Sequence, residues 1–266
     1  MIFNWLKARR RKEILEQPFP GAWRRIMDAM VPYYGCLDQD EKIQLEQLVQ
    51  VFLEEKDFEG CGGLELNDTI RVTVAAQACV LLLGLEHDLY QKLDSILLYP
   101  STVVTPETGV RVFAGMPQIS ENPVPISGQA FMRGPVILVW DAVTQGAKHA
   151  DGHNVVYHEF AHIIDMYDGR VDGTPLLSSR KQYRAWAQIC TKEFFSLKEQ
   201  SNKGKKTFLN AYGATNEPEF FAVATEYFFE RPLELKEKHH SLYTLLAAFY
   251  NQDPAARFLA KRTSAE

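Results

Sequence analysis

Cysteine is scarce. Cys36, Cys61, Cys79 and Cys190 are spread over 266 residues, and no two form a Cys-x-x-Cys pair. That excludes a four-thiolate zinc site, and so few cysteines in so long a chain do not make a disulfide framework. Cys79 lies in an apolar run and reads as a small buried hydrophobe; reduced thiols point to the cytoplasm. Long hydrophobic runs are also missing. The most apolar stretch, Val72 to Leu85, includes Thr73 and Gln77. It is too short to span a bilayer, so a buried helix is expected over residues 68–85 and no transmembrane segment anywhere. An excess of positive charge is lacking: 29 Lys and Arg stand against 34 Asp and Glu, a net charge of −5. This argues against direct nucleic-acid binding. Repeats and low-complexity linkers are absent as well.

What is present is ordinary for a globular chain, with 46% hydrophobic and 24% charged residues. The length allows one large domain or two small ones. The N-terminus, MIFNWLKARRRK, puts apolar residues before its charges, the reverse of a secretory signal. It reads as a first helix with a basic solvated side, with a short surface anchor or partner-binding arm as the alternative. Residues 1–90 have helical texture. Asp38 with Glu41 is a capping-box pattern opening a periodic run, EKIQLEQLVQVFLEE, and helix is expected through about residue 58. The turn EGCGGLEL has neither a Walker lysine nor dinucleotide-type glycine spacing. Over 95–145, ILLYPSTVV, VRVFAG and GPVILVW predict a small sheet, and 151–258 returns to helices. The fold class is therefore α+β.

The chemistry sits in DGHNVVYHEFAHIID, which contains the H-E-x-x-H pattern His158, Glu159 and His162. On a helix, positions i and i+4 differ by about 40° and about 6 Å, so both imidazoles can reach one metal ion. Zinc suits two imidazoles and a carboxylate, and Glu159 can approach a metal-activated water as general base. Asn154 or Asp151 would cap this helix, and Val155, Val156, Ile163 and Ile164 give it a buried face. Two histidines leave the ligand set incomplete. Asp168 is one candidate for the third, although Asp165 and Asp168 depart from HExxHxxGxxH. Glu219 and Glu226, seven apart on a second helix, are the others. Asn216 with Glu219 is also a capping pattern, and spacing alone leaves these choices open.

HNVVYHEFAHIID followed by YGATNEPEFFAVATEYFF resembles the MtfA (Mlc titration factor A) family of zinc-dependent peptidases. FEGCGGLELNDTIRVTVAAQACVLLLGLE, ISGQAFMRGPVILVW and FYNQDPAARF extend the likeness over roughly residues 15–258. The core is also similar to lethal-factor-type toxin proteases. The resemblance implies a mainly helical, zincin-like metallopeptidase with a small mixed sheet beside the HExxH helix. It implies one Zn2+ per chain on His158, His162 and Glu219, with Glu159 as catalytic base. Tyr212, seven positions before Glu219, matches a family tyrosine and would donate to the oxyanion. Hydrolysis of peptide or protein substrates is implied, aminopeptidase-like in kind. So is a link to the glucose phosphotransferase system through binding of a transcriptional repressor, Mlc. The alternative is a non-catalytic titrating partner with secondary peptidase activity.

Neighbouring residues carry further expectations. Asp165 would accept a hydrogen bond from a ligand histidine or form a salt bridge, and Glu226 would brace the site. No histidine lies between His87 and His149 to serve as an extra ligand. His153 is expected off the ligand face, and His149, His239 and His240 in solvent. Residues 134–140 are expected either as an edge strand that holds substrate backbone or as a buried central strand. Ligand candidates on well-separated segments, with the resemblance unbroken through all three parts, imply a single domain over 1–266.

Overall fold

The computed structural model describes residues 2–85, 87–101, 128–131, 134–148 and 150–265. The N-terminal third is α1 (Ile2–Leu15), α2 (Gly21–Met30), α3 (Gln39–Glu55), β1 (Asp57–Gly60) and α4 (Asp68–Val80). The middle holds β2 (Ser95–Tyr99), β3 (Gly128–Ala130), β4 (Val136–Val139) and α5 (Trp140–Lys148). The remainder is α6 (Val155–Asp165), α7 (Arg180–Asn202), α8 (Glu217–Glu230), α9 (Pro232–Lys238), α10 (His240–Tyr250) and α11 (Pro254–Ala265). Eleven α-helices and a four-stranded mixed sheet among the described residues make this an α+β fold. No described helix is long and apolar enough to cross a membrane.

The local signals set helix starts as expected. Asp38 Oδ1 accepts the Glu41 N–H at 2.9 Å, while the Asp38 N–H donates to Glu41 Oε2 at 3.1 Å, closing the capping box of α3. The chain leaves helical geometry earlier than the periodicity suggests. Residues 57–60 are strand, paired parallel with β2 from Asp57↔Ser95 onward. Lys56 Nζ pins the exit by donating to the carbonyls of Tyr90 and Leu93, at 2.7 and 2.5 Å. The helix expected over 68–85 ends at Val80. There its carbonyls find partners from other segments: Gln252 Nε2 donates to Val80 O and Gln44 Nε2 to Leu83 O, both at 2.9 Å. Those bonds replace helical ones and allow the chain to turn.

The sheet order is β1-β2-β4-β3, with β3 antiparallel and the others parallel. β4 therefore lies between two strands. This overturns the edge-strand alternative for residues 134–140, because the backbone groups of β4 are used on both sides. The unbroken apolar run VILV is the mark of a strand covered on both faces. Among the described residues, the edge strand next to α6 is β3. The VRVFAG segment falls outside the described residues.

The core gathers around α4, α6 and α8. Ile70 and all of Val72–Val80 are buried, as is every residue of α8 from Phe220 to Glu230. On the back of α6, the fully buried Phe160 sets its ring 5.0 Å from Tyr90 and 5.9 Å from Phe52. The Tyr90 hydroxyl donates to Ala78 O at 2.9 Å, tying this cluster to α4. Apolar packing thus fixes the rotation of α6 and turns its polar face toward a cleft.

Candidate metal centre and its cleft

Helix α6 begins at a fully used cap. Asn154 Oδ1 accepts the N–H groups of Val156 and Tyr157 at 3.1 and 3.0 Å. The Asn154 N–H donates to Glu226 Oε2 at 2.6 Å, so the cap is itself held by α8. Within this helix His158 and His162 project side by side, with ring centroids 4.9 Å apart. Glu219 reaches them from the first turn of α8. Asn216 caps that turn through its Oδ1 and the Glu219 N–H at 2.9 Å, while the Glu219 carboxylate turns to the histidines. The capping pattern and the ligand candidate therefore coexist.

Three donor atoms converge. His158 Nε2 lies 2.9 Å from Glu219 Oε2 and 3.3 Å from His162 Nε2, and His162 Nε2 lies 3.5 Å from Glu219 Oε2. These residues form the group suited to a metal ion among the described residues. Ligands at 2.0–2.1 Å around a tetrahedral ion are separated by about 3.3–3.4 Å, so the observed spacings fit such an ion with little movement. The donor set of two imidazoles and one carboxylate agrees.

The surrounding charges make the same point. Burial lowers the basicity of His158, but hydrogen bonds to Glu219 and Glu226 outweigh it and raise its pKa to about 10. Burial raises the Glu219 carboxyl, yet the two histidines hold it down at about 2. Glu226 Oε1 lies 2.7 Å from His158 Nδ1 and anchors that nitrogen, leaving Nε2 to face the other donors. Glu226 thus contacts both His158 and the cap of α6. Glu159 is buried and its carboxyl is pushed up to about 7 by burial, against the opposing pull of His158 and His162.

Glu159 lies against β3. A Cβ on Gly128 would stand 2.6 Å from Glu159 Oε1 and 2.6 Å from Val155 Cγ2, so only glycine leaves room for the carboxylate there. The cleft has a volume of about 870 Å3 and is walled by β3, α6, the turn before α8, and the 151–154 and 166–171 segments. No lysine or arginine lines it among the described residues. Tyr212 sits on a short 3-10 turn, its N–H held by Asn210 Oδ1 at 2.9 Å. Its ring is 55% exposed and centred 5.9 Å from that of His158. Burial, and then the Glu219 charge, raise its hydroxyl pKa.

Other expected positions fall differently. Asp168 is exposed and its Oδ1 accepts the Arg170 N–H at 2.9 Å, so it serves a loop and not the donor group. Asp165 is fully buried, but it neither accepts from a histidine nor forms a salt bridge. Its Oδ2 accepts the Gly173 N–H at 3.0 Å, because the 169–173 loop folds back under α6. Burial pushes this carboxyl up to about 6. Gly173 has φ +72°, and a Cβ there would meet Glu217 O at 2.4 Å. Its carbonyl accepts from Trp186 Nε1 at 3.0 Å, so one glycine links α6, α7 and the start of α8. His153 lines the cleft beside Asp151 and Asn210. His239 is not solvated: it is half-buried, stacks on Phe208 and bonds Glu193 Oε2 through Nδ1 at 2.8 Å. His240 is exposed, and His149 lies outside the described residues. Sequence reasoning missed β3, Gly128 and Asn210. A three-residue strand and a lone cap asparagine carry no periodic signal, and only their place beside α6 gives them meaning.

Known proteins share this architecture's sequence. A family model for glucose-regulated metallo-peptidase M90 matches residues 5–251. An uncharacterised protein of Synechocystis sp. is 37% identical over 258 residues, covering 94% of this chain and 90% of its own. Mlc titration factor A of Escherichia coli is 29% identical over 230 residues, 85% of each chain. The protein of that name from Cronobacter sakazakii is 28% identical over 238 residues, 88% of each. A match running from α1 to the end of α10, with a metal-suited donor group at its centre, leaves one conclusion: the chain belongs to the glucose-regulated metallo-peptidase M90 family.

Proposed function

We propose that this protein is a zincin-like zinc peptidase, cytoplasmic and built as a single domain over 1–266, that hydrolyses peptide bonds. His158, His162 and Glu219 would hold one zinc ion per chain. The observation that carries this reading is the mutual spacing of their donor atoms, 2.9, 3.3 and 3.5 Å. Bound there, zinc supplies Lewis-acid polarisation of the scissile carbonyl and brings the pKa of an attacking water to about 7. Glu159 would take a proton from the attacking water and return it to the leaving amine. Tyr212 donates its hydroxyl proton in a hydrogen bond to the developing oxyanion. Glu226 holds the His158 ring, and Asp165 holds the loop beneath α6. The edge of β3, in place of residues 134–140, aligns the substrate main chain.

Asp151 lines the cleft and offers a carboxylate to a substrate's α-ammonium group, which supports aminopeptidase-like action. The test is chelation and reconstitution. Removing metal should abolish hydrolysis of aminoacyl substrates, and one equivalent of zinc should restore it. Full activity in the metal-free protein would refute the proposal.

A second reading rests on the name of the relatives, Mlc titration factor A. Here the protein binds a repressor of the Mlc type and withdraws it from DNA, with peptidase activity secondary. The net charge of −5 supports a protein partner over DNA itself. A Glu159→Gln variant that still relieves repression would favour binding over cleavage.

A further inference from the structure

Helix α1 meets the rest of the protein along one side only. Lys7, Arg11 and Ile14, spaced i, i+4 and i+7, are half-buried. Arg11 makes a two-pronged pair with Glu55 at 2.7 and 2.9 Å, and Gln50 Nε2 donates to Ile14 O at 2.9 Å. Trp5, Arg9 and Lys12 repeat the same spacing on the opposite side and face solvent. Trp5 is 61% exposed and the adjacent Leu6 49%. The Arg9 guanidinium lies 5.9 Å over the Trp5 ring, and its carboxylate partner is Glu13, one turn along the same exposed face. None of the described α1 side chains lines the cleft.

Charge is concentrated at the same place. Lys7, Arg9, Arg10, Arg11 and Lys12 put five cations into six consecutive positions, with no acidic residue before Glu13, in a chain of net charge −5. An indole at the end of a cationic helix suits a bilayer surface, since the ring settles at the headgroup level while Arg and Lys meet lipid phosphates. Among the described residues, three exposed large apolar side chains on this helix, Trp5, Leu6 and Leu15, offer far less than the roughly 800 Å2 per partner that a stable protein interface buries. A bilayer asks for no such matched surface. The negative charge of the remaining chain opposes a polynucleotide.

We propose that α1 is a peripheral membrane anchor. Trp5 and Leu6 enter the headgroup boundary of an anionic phospholipid bilayer, and Arg9 and Lys12 bind its phosphates. The experiment sediments the full-length, zinc-loaded protein with vesicles of phosphatidylcholine alone or mixed with phosphatidylglycerol. Binding is expected to the mixed vesicles only, and to fall with added salt. Each cation is worth about fivefold in partitioning, so Arg9→Gln with Lys12→Gln should weaken binding by about 25-fold. Trp5→Ser with Leu6→Ser should weaken it too, and unchanged circular dichroism and peptidase activity would show both variants folded. Three results would overturn the proposal. One is no binding to the anionic vesicles. Another is equal binding to neutral ones. The third is a dimer or an oligonucleotide complex that Trp5→Ser dissolves while vesicle binding persists.

Discussion

Removing the Glu226 carboxylate separates the ligands from the group that orients them. Glu226 makes two charge-assisted contacts, to His158 Nδ1 at 2.7 Å and to the Asn154 N–H at 2.6 Å. One fixes the ring of a proposed ligand and the other fixes the cap of the helix that carries it. Loss of such an outer partner typically weakens metal affinity 10–100-fold, about 1.4–2.7 kcal/mol. Part of the loss is offset. Glu226 is buried at 6% exposure and contributes to the high pKa of Glu159 and Glu230, so its removal also relieves repulsion among carboxylates. The expected outcome for Glu226→Ala is a zinc affinity about 10-fold lower, with one site per chain retained. Glu219→Ala, which deletes a donor atom outright, should cost considerably more. Competition against a chromophoric chelator measures both. If Glu226→Ala lost more affinity than Glu219→Ala, the third ligand would be Glu226 and the reading of α8 would be wrong.

Three further outcomes follow from the packing. Phe160→Ala should lower stability by about 3–5 kcal/mol in denaturant titration, since the ring fills the junction of Phe52, Tyr90 and α6; a loss under 1 kcal/mol would contradict that packing. Gly128→Ala should depress kcat while zinc content stays at one per chain, because the new methyl displaces Glu159; unchanged kcat would mean that β3 yields freely. Glu230 gives a pH signature. Burial pushes its carboxyl up to about 8, against hydrogen bonds from Asn154 and the Gly152 N–H that lower it. The folded state therefore holds this proton more tightly than the unfolded chain, whose glutamate pKa is about 4.3. Its contribution to stability is full below that value and is lost as pH rises toward 8. The melting temperature of Glu230→Gln should consequently fall less between pH 5 and pH 8 than that of the wild type, and parallel curves would count against a buried, protonated Glu230.

What the sequence disclosed was mostly local. The Asp38 capping box, the Asn154 and Asn216 caps and the His158–His162 pair each depend on residues within one helical turn. Their geometry is fixed once the helix forms. The third donor depends on how α8 packs against α6, so spacing could not choose among Asp168, Glu219 and Glu226, and the family likeness was needed. Elements set by distant partners were not legible. β1 forms because β2 pairs with it, and α4 stops at Val80, whose carbonyl accepts from Gln252, while Leu83 O just beyond accepts from Gln44. Asp165 accepts from the Gly173 N–H and not from a histidine, because a loop closing under α6 leaves no periodic trace. His239 looked solvated only while Phe208 and Glu193 were distant letters.

The central claim is that Glu159 moves the proton in a site whose metal is held by other residues. Zinc content and hydrolysis of an aminoacyl substrate, measured together on the wild type and on Glu159→Gln, test it most directly. The variant should retain one zinc per chain and lose hydrolysis almost entirely. Near-wild-type turnover in a zinc-loaded Glu159→Gln protein would contradict the account.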